Sequence, residues 1–451
     1  MIRGERGAEE PSAGAQPVTR DRARGLYTVA LWAALPWVLL NLGRRGLRNR
    51  GYWARWGERL ALTSAPPDCP VWVHAVSVGE AQVAEPIVRG LLDRHPGLRI
   101  LLTTTTPTGS ARVKGSLGDV VQHVYVPYDL PFAVRRFLRR VRPRLAVFME
   151  TELWPNTFWG CSERGVPIVV ANARLSERSA RGYGRLPALV RPMLERVSLV
   201  AAQTQADADR FVALGAPAER VEVTGSLKFD LTLPASLRER AQVLRRSWGV
   251  DRGVWVAAST HEGEDDLVVD AFQQVLRTVP DALLVLVPRH PERFARVLAL
   301  VRRRGLRVVQ RSQRPADCRD AQVFLGDTMG ELPLFYAAGD VAFVGGSLVR
   351  TGGHNMLEPA TLGLPVLSGP HVFNFVEVMR VLEERGAAWR VRDVAGLTRA
   401  ACDLLQDADL RHAMGERGRQ AVDENRGALD RLMQRIEPFL GKGVGRAKGS
   451  E

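Results

Sequence analysis

From residue 71 onward the chain repeats one rhythm, a short apolar run followed by a helical stretch, and after a break it starts that rhythm again. The first series is VWVHAV, RILLTTT, HVYVPY, LAVFME, PIVVAN, SLVAAQ and VEVTG. The break falls near TLPASLRER, and the second series is VWVAAS, ALLVLVP, LRVVQ, VFLGD, VAFVGG and PVLSGP. Runs so short and so continuously apolar predict strands buried on both faces, as in a parallel sheet covered by helices on either side. One sheet holding all of them would be unusually wide, so two doubly wound domains in tandem are expected. Ligands of such sheets gather outside the carboxyl ends of the strands, here expected in a cleft between the domains.

The chain has 451 residues, 45% hydrophobic and 25% charged, enough for two or three domains with substantial cores. Its net charge of +14, from 63 basic and 49 acidic residues, points to an anionic partner: phospholipid, phosphorylated glycan or nucleic acid. Arg135, Arg136, Arg139, Arg140, Arg142 and Arg144 crowd one amphipathic segment, a pattern that a plain solvated helix face also produces. Cys69, Cys161, Cys318 and Cys402 are far apart and form no CxxC pair. That argues for a reducing compartment and against a disulfide frame or structural zinc.

Residues 1–25 are rich in charge, Gly, Ala and Pro and are expected to be a disordered tail. Residues 26–42, LYTVALWAALPWVLLNL, are apolar apart from Thr28 and Asn41, contain Pro36, and are flanked by Arg22, Arg24, Arg44, Arg45, Arg48 and Arg50. The run is at the short limit for spanning a bilayer. It is expected to be a membrane anchor over residues 26–45, either spanning or lying in the interface, with Trp32, Trp37, Trp53 and Trp56 near the headgroups. The downstream arginines favour a cytoplasmic location for the rest of the chain. A cleaved signal peptide is the rival reading, and no A-x-A site follows to support it. The expected domains are residues 46–232 and 233–425, with a helix and tail over 426–451.

The stretch GDTMGELPLFYAAGDVAFVGGSLVRTGGHNMLEPAT, residues 326–361, twice places glycines and an acid between a buried strand and a helix start. Glycines let the backbone approach a phosphate, and free N–H groups at a helix start favour the anion. Gly352 and Gly353 suit that role, Asn355 can cap the helix, and Glu358 either grips ribose hydroxyls or completes the cap. Glu80, in HAVSVGE, lies at a helix start after a strand, as a helix first-turn acid or as a base for a hydroxyl nucleophile. Glu150 and Glu152 end the strand LAVFME beside Trp154 and Pro155, suited to sugar binding, to acid/base work or to simple turn chemistry. Lys228 and Asp230 follow the strand VEVTG, where a lysine either stabilises phosphate charge or is solvated.

Several motifs lead nowhere. Asp207 and Asp209 fit a D-x-D pattern but fall in a helix first turn, and Asp407 and Asp409 repeat it. The eight histidines are dispersed, and His261 has no partner at metal-ligand spacing. There is no H-E-x-x-H and no G-x-x-x-x-G-K-[ST].

The motifs HAVSVGE, TTTTPTG, VPYDLP, METELWPN, ANARLSERS, TGSLKFD, STHEGE, VPRHPERF, GDTMGEL, FVGGSLVRTGGHN and GPHVFNF occur in order over about residues 26–440. In that order the chain closely resembles the bacterial 3-deoxy-D-manno-octulosonic acid (Kdo) transferases of lipid A biosynthesis. The resemblance implies a GT-B glycosyltransferase, two Rossmann-like domains facing a central cleft, on the cytoplasmic side of the bacterial inner membrane. It implies transfer of Kdo from CMP-Kdo to the lipid A precursor (lipid IVA) with inversion, and neither a cofactor nor a metal. Glu80 matches the base of the family, and Glu150 and Lys228 match positions of transition-state support. CMP contacts carry over to Pro288, Arg289, Met329, Gly330, Glu331, Asn355, Met356, Leu357 and Glu358, with Met356 assigned a backbone contact only. Membrane phospholipid is an expected partner and nucleic acid is not. The competing readings are a GT-B enzyme using a UDP-sugar, a nucleotide-sugar epimerase of the same architecture, or a basic anionic-lipid or nucleic-acid binding protein. The last lacks interleaved basic and aromatic base-stacking motifs.

Overall fold

The apolar runs do become parallel strands. In the computed structural model, which describes residues 17–48, 50–62, 65–231, 233–234, 236–313 and 317–441, they form two sheets of seven. The first sheet holds β1 (Val71–His74), β2 (Ile100–Thr104), β3 (Gln122–Tyr125), β4 (Leu145–Met149), β5 (Ile168–Ala173), β6 (Leu199–Ala202) and β7 (Val221–Val223). The second holds β8 (Val254–Thr260), β9 (Leu283–Pro288), β10 (Val308–Gln310), β11 (Val323–Leu325), β12 (Val341–Val344), β13 (Val366–Ser368) and β14 (Ala388–Arg390). The central strands β1, β2, β4, β5, β8 and β9 are buried at every position, which is why they read as unbroken apolar runs rather than alternating ones. The short edge strand β14 was not expected from the sequence; only its first residue is buried.

Strand order locates the ligand sites. The first sheet runs β3-β2-β1-β4-β5-β6-β7 and the second β10-β11-β9-β8-β12-β13-β14. The chain leaves in opposite directions from the neighbouring strands β1 and β4 in the first sheet and from β8 and β12 in the second, where β10 also lies outside β11. The crevice at such a reversal, at the strands' carboxyl ends, is where a doubly wound sheet receives its ligand.

The chain divides into two compact units, Met1–Leu227 with Gly427–Glu451, and Lys228–Arg426. The change of unit thus comes at Leu227/Lys228, ahead of the 232/233 boundary expected from the sequence. The cause lies in the side chains: Leu227 is buried in a core of the first sheet, and Phe229 in a core of the second unit. The helix Ala428–Leu440 is not a separate appendage. Its Leu432, Met433, Ile436 and Leu440 fill one face of the first sheet.

The N-terminal helix spans Pro17–Arg48, so residues 17–25 are helical rather than part of a disordered tail; residues 1–16 and 442–451 lie outside the described residues. Three successive contacts fasten its first turns to the first unit. Arg24 donates to Asn156 Oδ1 at 3.0 Å, Tyr27 to Asp129 Oδ2 at 3.0 Å, and Thr28 to Asn156 Oδ1 at 3.2 Å. Leu31 and Leu35 continue the same face onto the core, and Trp32 stacks on Phe132 at 5.6 Å. Leu26, Val29, Trp37 and Leu40 stay exposed.

Candidate active site

In the first unit, the two loops that flank the strand reversal bring acids together. Ser77, just after β1, caps the helix Val78–Arg94, and its hydroxyl accepts from the Glu80 N–H. Glu80 folds back: its carboxylate accepts from the Val76 N–H at 2.8 Å and from the Ser77 hydroxyl at 3.0 Å. Glu80 is therefore a first-turn capping acid, one of the two roles expected of it, and that role fixes its position. Burial pushes its carboxyl up to about 7 against those two hydrogen bonds, and the charges of Glu152 and Glu150 push the same way.

Glu150 follows β4 on the other side of the reversal and has φ 52°, a left-handed backbone that residues other than glycine seldom adopt. Its N–H donates to the Ala171 carbonyl at 3.0 Å, which ties the strained residue to β5. Glu152 accepts from the Trp154 indole at 2.7 Å, and burial raises its pKa. The charges of Glu152 and Glu150 thus both oppose ionisation of Glu80, and that of Glu150 opposes ionisation of Glu152. Asp207, by contrast, is structural. It accepts from the Leu175 N–H at 2.8 Å and from the Thr204 hydroxyl at 2.6 Å, next to its own helix start.

In the second unit the residues expected to hold the nucleotide stand at the ends of neighbouring strands. Pro288 closes β9, and the Arg289 N–H donates to Thr260 at the end of β8 at 3.0 Å. Met329, Gly330 and Glu331 follow β11. Met329 is exposed, Gly330 has φ 80°, and Glu331 is gripped by Arg311 through two hydrogen bonds of 2.7 and 3.0 Å, which lower its pKa. After β12, Asn355 accepts from the Leu357 N–H at 3.1 Å and donates to Glu358 at 3.1 Å. Burial raises the pKa of Glu358 against that bond. Met356 is fully buried in a hydrophobic core of the second unit.

Residues 326–361 supply two separate loops: β9 and β8 stand between β11 and β12, so the two loops are about 14 Å apart along the sheet. The glycines Gly345 and Gly346, directly after β12, are engaged from within. Glu264, fully buried at the start of the helix Glu264–Thr278, accepts from the N–H groups of Gly346 at 2.6 Å, Leu348 at 2.9 Å, Ser347 at 3.1 Å and His261 at 3.1 Å. A Cβ on Gly345 would lie 2.7 Å from that carboxylate and from the Ser259 carbonyl, so glycine is required there. The signal available in the sequence was an acid directly after Gly263 behind a strand.

Lys228 belongs to the second unit, where its Nζ lies 3.4 Å from the Asn374 carbonyl and 5.1 Å from the Phe375 ring centre. His261 does have a partner: its Nε2 is 2.7 Å from Nε2 of His354. Among the described residues no His, Cys, Asp or Glu cluster is built to hold a metal ion.

Comparison with known proteins bears on what these sites serve. A family model described as 3-deoxy-D-manno-octulosonic-acid transferase (kdotransferase) matches residues 54–231. The 3-deoxy-D-manno-octulosonic acid transferase of Haemophilus influenzae is 43% identical over 425 residues, covering 93% of this chain and all of that one. The chain belongs to the Kdo transferase family. The Kdo transferase of Bordetella pertussis is 41% identical over 435 residues, covering 93% of this chain and all of its own. Like its family, the chain is a glycosyltransferase. Its fold is GT-B: the crystal structure of Acinetobacter baumannii MurG superposes with a TM-score of 0.54 over 83% of this chain and all of that one, at 12% identity.

Proposed function

We propose that this Kdo transferase takes its sugar from CMP-Kdo and joins it, with inversion, to a hydroxyl of the lipid A precursor, with Glu80 as general base and no metal ion. The base assignment rests on one observation above the rest: the Val76 N–H and the Ser77 hydroxyl fix the Glu80 carboxylate at the strand reversal of the first unit, where burial, with the charges of Glu152 and Glu150, raises its pKa to about 7. A base works best when its pKa lies near the working pH. The acceptor's hydroxyl proton passes to Glu80 as its oxygen bonds to the anomeric carbon of Kdo. The bond from that carbon to the CMP phosphate oxygen breaks, and CMP keeps the electron pair.

The leaving group is a phosphate monoester, and Arg289 and Lys228 offset its charge. Glu150 supports the transition state. Pro288, Arg289, Met329, Gly330, Glu331, Asn355, the Met356 backbone, Leu357 and Glu358 hold CMP, with Glu358 on the ribose.

The N-terminal helix serves the lipid acceptor. Its segment Arg22–Leu47 is long and apolar enough to cross a membrane. The bonds of Arg24, Tyr27 and Thr28 to Asp129 and Asn156 favour a helix lying in the interface, its free apolar face in phospholipid on the cytoplasmic side of the inner membrane.

The test is the mass of the product formed from freshly generated CMP-Kdo and a tetraacylated lipid A precursor, with a chelator present. Addition of Kdo is expected. No Kdo product, with transfer from a UDP-sugar instead, would overturn the donor assignment.

A further inference from the structure

The strand reversal of the second unit is flanked by the loops after β8 and β12, and each contributes one imidazole to the same spot. His261 is the first residue past β8 and His354 lies in the loop after β12; their Nε2 atoms are 2.7 Å apart although they are 93 residues apart in sequence. The rings are nearly parallel, 6° between planes. Two ring nitrogens that close need a proton between them, so one ring donates and the other accepts.

The backbone is shaped to make this contact. Ser259 has φ 57° and interrupts the register of β8 against β9 between Ala258 and Thr260. Such a bulge re-aims the residues that follow it. On the other side Gly346, at φ 68°, leaves room for the pair: a Cβ there would stand 3.1 Å from His354 Nε2 and 3.3 Å from His261 Cδ2. The Glu264 carboxylate pins both loops by accepting from the N–H groups of His261 and Gly346.

The charges around the pair are basic. His290 stands edge-on to His261 at 5.2 Å, and Arg289 bears on both rings and Arg293 on His261. Three acids stand nearby: Glu264, whose oxygens are already taken up by four N–H groups, Asp265, which is ion-paired with Arg293, and Glu358, whose charge acts on Arg289. Burial, with these neighbours, lowers the pKa of His261 and pushes that of His354 down to about 4, so without an added counter-charge both rings are neutral at pH 7.

We propose that the His261–His354 pair is an anion receptor, taking up a proton from solvent when an oxyanion of the donor seats on it. The inference rests on the donor reading above and adds to it a receptor with a proton requirement. The oxyanion has two possible sources in a nucleotide-activated acidic sugar, the phosphate and the sugar carboxylate. Either one cancels the surrounding positive charge and lets the pair hold the added proton.

Calorimetric titration at pH 7 in buffers of differing ionisation enthalpy counts the protons taken up, using CMP, cytidine and free Kdo as probes, on the full chain and on His354→Asn and His261→Gln. Glutamine keeps a hydrogen bond but cannot gain the proton, so it separates lost protonation from lost folding. If the phosphate is the anion, the parent takes up about one proton with CMP. Both variants then lose that uptake and bind CMP about tenfold more weakly, with cytidine unchanged. If the carboxylate is the anion, the same losses appear with free Kdo while CMP is unaffected. Variants that bind CMP and Kdo as the parent does, with the same proton uptake, would overturn the pair's role and leave the donor reading standing. A parent that binds neither CMP nor Kdo would overturn both.

Discussion

The Trp154 indole N–H donates to Glu152 at 2.7 Å and so fixes an acid whose charge raises the pKa of Glu80. His74, fully buried, packs edge-on against Trp154 at 5.1 Å and holds that indole in place. Removing the charge at Glu152 makes Glu80 easier to ionise. The acid limb of the kcat/KM profile of Glu152→Gln is therefore expected at lower pH than in the parent. A limb that stays in place would show that Glu152 does not act on Glu80.

Glu80 also carries a stability cost. Its folded pKa, about 7, lies above the ordinary carboxylate value of 4.5, so the folded state holds the proton more tightly than the unfolded one. The parent then loses stability as pH rises from 4.5 through 7. Glu80→Gln does not titrate, so its melting temperature relative to the parent is expected to climb across that window, by the equivalent of about 1 kcal/mol. Thermal melts at pH 5 and pH 8 measure the difference, and equal differences at both would refute it.

Asp129 is the fastening of the N-terminal helix. Its two buried oxygens accept from the Asn156 and Thr157 N–H groups at 2.9 and 2.7 Å, from the Thr157 hydroxyl at 2.6 Å and from Tyr27 at 3.0 Å. Asparagine turns one of those acceptors into a donor. Asp129→Asn is expected to cost about 1–3 kcal/mol and to expose the helix, so that trypsin cuts at Arg24 faster than in the parent. An unchanged cleavage rate would show that the helix is held elsewhere.

The four N–H groups on Glu264 lead to a similar test in the second unit. In Glu264→Gln one oxygen becomes an NH2 facing donors, and at least one N–H is left without a partner. A loss of about 2–5 kcal/mol is expected, with weaker CMP binding because the loop after β12 loses its pin. Retention of both stability and CMP affinity would contradict the pinning role.

The sequence carried the two sheets because their central strands are buried on both faces and so read as continuous apolar runs. It did not carry β14, which has three residues and one buried position. The change of unit at Leu227/Lys228 was hidden because SLKFD has no Gly, Pro or polar cluster to mark it, whereas the visible break at TLPASLRER lies inside the second unit. In the acid group, Glu80 and Glu150 were legible as acids just past strand ends. The strain at Glu150 and the coupling through Glu152 were not, since both depend on which strands lie side by side. The His261–His354 pair was invisible for the same reason: its members look dispersed until the strand order sets β8 beside β12.

The most direct test of the account is the pH dependence of Kdo transfer by the parent and by Glu80→Gln, each checked for CMP binding. The account predicts that kcat/KM of the parent rises with pH to a plateau above about 7. Glu80→Gln is expected to bind CMP as the parent does, to turn over about 100- to 10,000-fold more slowly, and to lose that limb. A Glu80→Gln enzyme with the parent's rate and the parent's limb would contradict the assignment of Glu80 as the base.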